Sequence, residues 1–221
     1  MTYNESIILT GEEWNNLTEN KKLEVLQSIE NHMAFESGRL SCPVEGKFLH
    51  TGGDGIVLGT YDPVSRRIYV NSSQFDSESM YGKNSEALVT TCLHEGRHAY
   101  QHQVVDGIIS HEDPGEIETW RENLKKGNYI SYKENPRGYY EQPVEVDARN
   151  FATVRYEKFI SERSKMEMDR HADYKQSRQV FETQMSKQSQ NEGLVANYNR
   201  LDLQVNSKSE SLENENHGIH A

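Results

Sequence analysis

The N-terminal part of the chain shows an apolar stripe at helical spacing. Four apolar residues recur at intervals of three or four positions: Leu23, Leu26, Ile29 and Met33. Because residues at these intervals share one face of an α-helix, the stripe predicts a helix with one buried face. Thr18 is a suitable N-cap and Gly38 a suitable stop, and these two residues set the expected bounds.

Short β-rich runs replace the helical spacing in the next part of the chain. Residues 55–61 and 67–71 are rich in β-branched or aromatic side chains, and the polar, proline-containing segment 62–65 between them favours a turn. We therefore predict a β-hairpin. Residues 47–50, which lie between two loops, form a weaker candidate strand.

Three further helices are predicted after the hairpin. The first spans residues 85–105, with Asn84 or Ser85 as its N-cap. The second spans residues 116–126 and follows a proline-containing start signal. The third begins at Pro143, a residue suited to a first helical turn, and continues past residue 174. The segment 127–142 is expected to be a connecting loop and a candidate wall or lid of a cleft.

This order of elements indicates an α+β fold, with a small mixed sheet packed on the helix 85–105 and a mostly helical C-terminal part. The chain has 221 residues and is 34% hydrophobic, which is enough for one domain but below the usual apolar content. Polar residues dominate from residue 206 onward. We therefore expect one domain over residues 1–205 and a polar, disordered tail over residues 206–221.

The helix 85–105 carries the clearest chemical signal, the run His94-Glu95-Gly96-Arg97-His98. Residues four apart on a helix lie about 6 Å apart along its axis and about 40° apart around it, so His94 and His98 can bind one ion. Glu95 lies about 100° away around the helix, where it can reach a water on that ion without being a ligand. Zinc held by two neutral imidazoles keeps its charge and lowers the pKa of bound water. The run therefore predicts half of a zinc site together with its general base.

A zinc hydrolase needs a third protein ligand, and three downstream acids are candidates. Glu145 falls in the first turn of the helix that begins at Pro143, and Ala148 and Ala152 on the same side allow close packing against the metal helix. Glu145 is therefore the preferred ligand. Glu141 precedes the helix, and Asp147 projects about 200° away from Glu145 and fits a supporting or surface role better. An ordinary acidic first turn, favoured by the helix dipole, is the alternative for Glu145.

The two runs together resemble the zincins with an HExxH motif and a later glutamate, the gluzincin type of metallopeptidase. The second run is Glu145-Val146-Asp147-Ala148-Arg149-Asn150-Phe151-Ala152, and it differs from the best-known pattern at Asp147, where glutamate is commoner. The resemblance covers about residues 66–155. It implies a zincin-like fold, ligands His94, His98 and Glu145, base Glu95, and an edge strand that pairs with an extended substrate. The metzincin pattern fits poorly, because it needs glycine and histidine where this chain has Gln101 and Val104.

The resemblance leads us to expect a zinc-dependent metallopeptidase that cleaves a protein or peptide substrate. Two alternatives stay open: a zincin-like metal-binding interaction module without turnover, and a hydrolase of a non-peptide amide or ester. An intact Glu95 favours an enzyme, because a structural metal site needs no base.

A zinc hydrolase also needs a donor that stabilises the negative oxygen of the transition state. Several residues have suitable chemistry: Tyr139, Tyr140, His102, His111, Arg149 and Tyr156. Tyr140 is preferred because it lies just before the predicted ligand helix. His102 continues the histidine spacing, but it lies about 12 Å along the axis from His94 and is too far to share one ion.

Charge and cysteine content limit the partners and the compartment. The net charge of −11 argues against binding to nucleic acid or to an anionic membrane as the main task. Cys42 and Cys92 are the only cysteines, which predicts no disulfide framework and a reducing compartment at folding. The N-terminus lacks the features of a secretory signal, and no run has the length of a membrane span. We therefore expect cytoplasmic synthesis, with signal-less export as a toxin or effector as a further option.

Overall fold

The first long helix forms where the apolar stripe predicts it. The computed structural model describes residues 11–50, 56–83 and 85–216. After a short helix α1 (Gly11–Asn15), helix α2 (Glu19–Glu36) has Thr18 as its N-cap, and the Thr18 side chain accepts a hydrogen bond from the backbone N–H of Lys21. Leu26, Ile29 and Met33 are buried, and Gly38 adopts a φ of 63° just beyond the helix. The prediction for this helix is confirmed.

A three-stranded mixed sheet follows, formed by β1 (Val44–Lys47), β2 (Gly59–Asp62) and β3 (Arg67–Asn71). β3 lies in the centre and pairs in parallel with β1 and antiparallel with β2, so β2 is an edge strand. The predicted hairpin is confirmed, although its first strand begins at Gly59. The Asp62 carboxylate stabilises the turn by accepting hydrogen bonds from Val64 N and Ser65 Oγ.

The strand predicted over residues 47–50 is wrong in its bounds. β1 ends at Lys47, opposite Asn71, which is the last residue of β3. A 3₁₀ turn, Ser72–Gln74, follows directly, so no strand remains for residues 48–50 to pair with. The Asn71 side chain replaces the sheet here by bonding to both the N–H and the carbonyl of Leu49.

Helix α3 (Glu86–Val105) matches the helix predicted to carry the metal ligands. Ser85 occupies the N-cap position but makes no capping hydrogen bond through its side chain, and Asn84 lies outside the described residues. One face of α3 is buried in the main apolar core together with α2 and the sheet. Gly59 permits the close approach of β2 to α3, because a Cβ atom there would lie 2.4 Å from Thr91 Cγ2. This packing sets the edge strand beside the histidine motif.

Three more helices follow within the described residues: α4 (Pro114–Leu124), α5 (Pro136–Glu141) and α6 (Pro143–Asn216). The segment 127–142 is not a plain connecting loop as predicted, because α5 forms within it. Asn135 caps α5 by accepting a hydrogen bond from Gly138 N at 2.9 Å, and Pro136 follows it. Asp113 and Pro114 start α4 in the same way. The prediction used this start signal for α4 but missed it for α5.

The chain divides into two compact units, Met1–Arg163 and Ser164–Ala221. The first contains the sheet, α1–α5 and the start of α6 as far as Arg163, and in the second the described side chains are mostly exposed. Residues 206–216 belong to α6 and residues 217–221 lie outside the described residues, so the domain over 1–205 and the disordered tail stay predictions. The fold is α+β and mostly helical, which confirms the predicted fold class. The zincin-like fold stays a prediction. Over the residues described above, no helix has the length and apolar content needed to cross a membrane.

Candidate metal centre

Three side chains from two helices converge on one point. His94 and His98 extend from neighbouring turns of α3, and Glu145 extends from the first turn of α6. The Nε2 atoms of the two histidines are 3.0 Å apart. Glu145 Oε2 lies 3.1 Å from His94 Nε2, and Glu145 Oε1 lies 3.2 Å from His98 Nε2. These are the three ligands that the sequence predicts, and they form a group able to hold a metal ion.

The spacing and chemistry of this group fit zinc. Ligand atoms at about 2.0–2.1 Å from a tetrahedral zinc ion are about 3.3 Å from one another, close to the separations observed here. Glu145 is 1% exposed, and its Oε2 atom accepts no hydrogen bond of good geometry from the described residues. A buried carboxylate oxygen without a donor is costly unless a cation is bound to it. The residues present therefore fit a metal ion with two imidazoles and one carboxylate as ligands.

The same proximity shifts the pKa values of two of these groups. Burial lowers the pKa of His98, but its hydrogen bond to Glu145 and the charges of Glu95 and Glu145 outweigh burial and raise the pKa to about 9. Burial raises the pKa of Glu145, but its close contacts with His94 and His98 outweigh burial and hold the pKa well below its usual range. Zinc binds the neutral imidazole, so metal binding must displace any proton that the raised pKa of His98 retains.

Glu95 lies beside the cluster and contacts the edge strand. It is 8% exposed, and its Oε2 atom accepts a hydrogen bond from the backbone N–H of Tyr61 on β2 at 2.7 Å. A Cβ atom at Gly59 would lie 3.3 Å from Glu95 Cγ, so this side chain and β2 pack closely. Glu95 is therefore held in a fixed orientation next to the two histidines without joining the group of three.

The other two acids considered as third ligands lie elsewhere. Glu141 is exposed and forms an ion pair with Arg137 on α5. Asp147 accepts hydrogen bonds from Arg97 and from the Gln101 amide, so it has a supporting position behind His98. Of the three candidates, only Glu145 meets the histidines.

The segment 127–142 supplies tyrosines beside Glu145, but the closest one was not predicted. The Tyr129 hydroxyl donates a hydrogen bond to Glu145 Oε1 at 2.7 Å. Burial and the negative charge of Glu145 raise the pKa of Tyr129, which keeps it a donor. Tyr139 has its pKa raised by the same two causes, so it also lies near Glu145. The signal available in the sequence was the cluster of tyrosines in the segment that leads into the helix carrying the predicted ligand Glu145.

Tyr140, the preferred oxyanion donor, is 51% exposed and lies against Arg149, whose guanidinium carbon is 5.1 Å from the Tyr140 ring centre. Arg149 also donates a hydrogen bond to the Tyr140 carbonyl, and its Nη1 atom is 4.0 Å from Glu145 Oε2. Both residues therefore lie at the edge of the centre. The catalytic role of Tyr140 stays a prediction.

The other candidate donors have different partners. The His102 ring packs against Tyr61, with ring centres 5.5 Å apart. His111 bonds to the Tyr100 hydroxyl and to Glu116, and Tyr156 packs on the main apolar core. None of these contacts is to the group of three.

Comparisons with known proteins add no relative. No family model matches the chain, and no curated protein or solved structure matches it either. The geometry of this centre and the motif resemblance are therefore the two indications of function.

Proposed function

We propose that the protein is a zinc-dependent metallopeptidase of the gluzincin type, with a zincin-like fold. The observation that carries the proposal is the convergence of His94, His98 and Glu145 within 3.2 Å of one another, with Glu95 fixed beside them. Two imidazoles and one carboxylate leave an open position on a tetrahedral zinc ion, which is typical of catalytic zinc. A purely structural zinc site is usually closed by a fourth protein ligand.

The residues of the centre divide the chemistry among them. Bound zinc would act as a Lewis acid toward the substrate carbonyl and the attacking water. Glu95 accepts the proton of that water and returns it to the leaving amine. The Tyr129 hydroxyl donates a hydrogen bond to the ligand carboxylate of Glu145. The Tyr140 hydroxyl is the proposed donor to the developing oxyanion. The edge strand β2, which contacts Glu95, is the proposed docking strand for an extended peptide.

The binding module without turnover is the competing proposal, and one contact favours it. Because Glu95 bonds to Tyr61 N, its carboxylate also has a structural role that an inactive protein would keep. The presence of Glu95 alone therefore does not decide between an enzyme and a binding module.

Glu95→Gln separates the two proposals. The amide oxygen can still accept the hydrogen bond from Tyr61 N, so we expect the fold and the zinc content to be kept. It cannot accept a proton from water, so hydrolysis should fall by about 10² to 10⁴ or more. Zinc is measured by elemental analysis, and cleavage is measured as new protein N-termini in a proteome digest. His94→Ala serves as the zinc-free control.

Two results would change the proposal. Turnover equal to wild type in zinc-loaded Glu95→Gln would refute the general-base mechanism. If neither wild type nor Glu95→Gln produced new N-termini while both bound zinc, the binding module would be the better explanation.

A further inference from the structure

We infer that Gln101 is a positioning residue that fixes the tautomer of His98 and so directs the His98 Nε2 lone pair toward the metal. The inference rests on the proposed metal site, and it assigns a role to Gln101, a residue for which the resemblance implies none. It follows from the hydrogen-bond donors and acceptors around the buried Gln101 amide.

The hydrogen-bond partners of the Gln101 side chain set the orientation of its amide. Gln101 is 0% exposed, so its polar atoms must find partners within the protein. Its Nε2 donates to the carbonyl of Val144 at 3.0 Å and to Asp147 Oδ2 at 2.7 Å. Both hydrogens of the amide are used, and a flipped amide would place its oxygen against two acceptors. The Oε1 atom must therefore face the opposite side.

Asp147 accepts hydrogen bonds from two residues, Arg97 and Gln101. Arg97 donates from Nε to Asp147 Oδ2 at 2.8 Å and from Nη2 to Oδ1 at 3.0 Å. A guanidinium only donates, so both carboxylate oxygens of Asp147 accept hydrogen bonds from Arg97. The Arg97 guanidinium also packs against aromatic rings. Its central carbon lies 4.5 Å from the ring centre of Tyr100 and 5.0 Å from the ring centre of Phe151. The donor end of the network is therefore rigid.

The orientation of the Gln101 amide decides which nitrogen of the His98 ring carries a hydrogen. Gln101 Oε1 lies 2.8 Å from His98 Nδ1, and since the oxygen can only accept, Nδ1 must carry the hydrogen. The neutral His98 ring then has its lone pair on Nε2, the atom that faces His94 and Glu145. The opposite tautomer would place two acceptors 2.8 Å apart in a buried site. Partners of this kind orient metal-binding histidines in general.

The network also links the two helices that supply the ligands. Gln101 lies three residues after His98 on α3, and it bonds to the carbonyl of Val144, the neighbour of Glu145 on α6. One side chain thus contacts a metal ligand and holds the first turn of the helix that carries another. At Asp147 the chain departs from the familiar motif, where glutamate is commoner. This arrangement gives Asp147 a role as the acceptor that orients Gln101.

The test uses Gln101→Met, which keeps the side-chain volume but removes the acceptor and both donors. Gln103→Met is the matched control, because Gln103 is also buried on α3 but its side chain bonds to the backbone of Leu40, away from the centre. Zinc affinity is measured on the full chain by competition with a chromophoric chelator. We expect Gln101→Met to bind zinc about 10- to 100-fold more weakly than wild type, and Gln103→Met to bind it within about twofold of wild type.

A second measurement requires no variant. In zinc-loaded wild type, two-bond ¹H–¹⁵N spectra of the histidine rings should show His98 with a protonated Nδ1 and a metal-bound Nε2, with slow exchange of the Nδ1 hydrogen. Metal binding through Nδ1 of His98 would overturn the inference, even if Gln101→Met failed to fold.

The outcomes separate this inference from the proposed function. Wild type that binds no zinc would refute both. Wild type that binds zinc, with Gln101→Met equal to wild type or to a weakened Gln103→Met, would refute the role of Gln101 and leave the metallopeptidase proposal intact.

Discussion

Gly96 lies between the two histidines of the motif, and replacing it by alanine should destabilise the protein. A Cβ atom at this position would lie 2.9 Å from Glu30 Oε2 and 3.0 Å from Arg39 Nη2. Ordinary contacts with a Cβ atom begin at 3.4 Å, so the two polar atoms must move by about half an ångström. These atoms belong to an ion pair whose side chains are both 1% exposed. The space beside Gly96 is therefore filled by a group that tolerates little displacement.

The size of the effect follows from three opposing contributions. Alanine in place of glycine in a helix interior stabilises by about 1 kcal/mol. Overpacking of a buried site costs about 1–3 kcal/mol, and complete separation of a buried ion pair costs about 3–5 kcal/mol. The Glu30 carboxylate is also fixed by hydrogen bonds from Arg39 at 2.6 Å and from Cys42 N at 2.8 Å, so it resists the shift. The helix gain reduces the overpacking cost to about 0–2 kcal/mol, and partial weakening of the ion pair adds about 1 kcal/mol, so we expect Gly96→Ala to lower the free energy of unfolding by about 1–3 kcal/mol.

Urea unfolding followed by tryptophan fluorescence measures this change, since Trp14 and Trp120 are both buried. Gly115→Ala is the matched control, because it also lies in a helix and its new Cβ atom would meet only Asp113 Oδ1, at 3.1 Å. That control should stay within about 0.5 kcal/mol of wild type. If Gly96→Ala were instead more stable than wild type by the full propensity gain, the space argument would be wrong.

Two further predictions concern the tyrosines and the C-terminal segment. Tyr129→Phe should weaken zinc binding by about tenfold, because it removes the donor to Glu145 Oε1, whereas Tyr140→Phe should leave zinc binding unchanged and lower turnover. Chelator competition and peptidase assays distinguish these two effects, and equal zinc affinity in the two variants would contradict the first. Truncation after Val205 should leave the melting temperature and zinc content nearly unchanged, because the removed segment is mostly polar. A clear drop in melting temperature would show that this segment stabilises the fold.

The sequence alone determined the features that depend on neighbours along the chain. The spacing of His94 and His98 places both on one face of a helix, and Pro143 sets the first turn that carries Glu145. The cap at Thr18 and the turn at Asp62 were likewise readable, because their hydrogen bonds join residues two or three positions apart. Each of these features rests on local geometry, which repeats from protein to protein.

Only the tertiary structure decided which distant groups meet. The hydrogen bond from Tyr129 to Glu145, and the hydrogen bonds that Asp147 accepts from Arg97 and Gln101, join separate parts of the chain. The bounds of β1 depended on where its partner strand ended. No local spacing encodes these contacts, because they arise when packing of the apolar core sets the positions of whole helices and strands. The helix period places the two histidines together, and the fold brings Glu145 and its supporting groups to them.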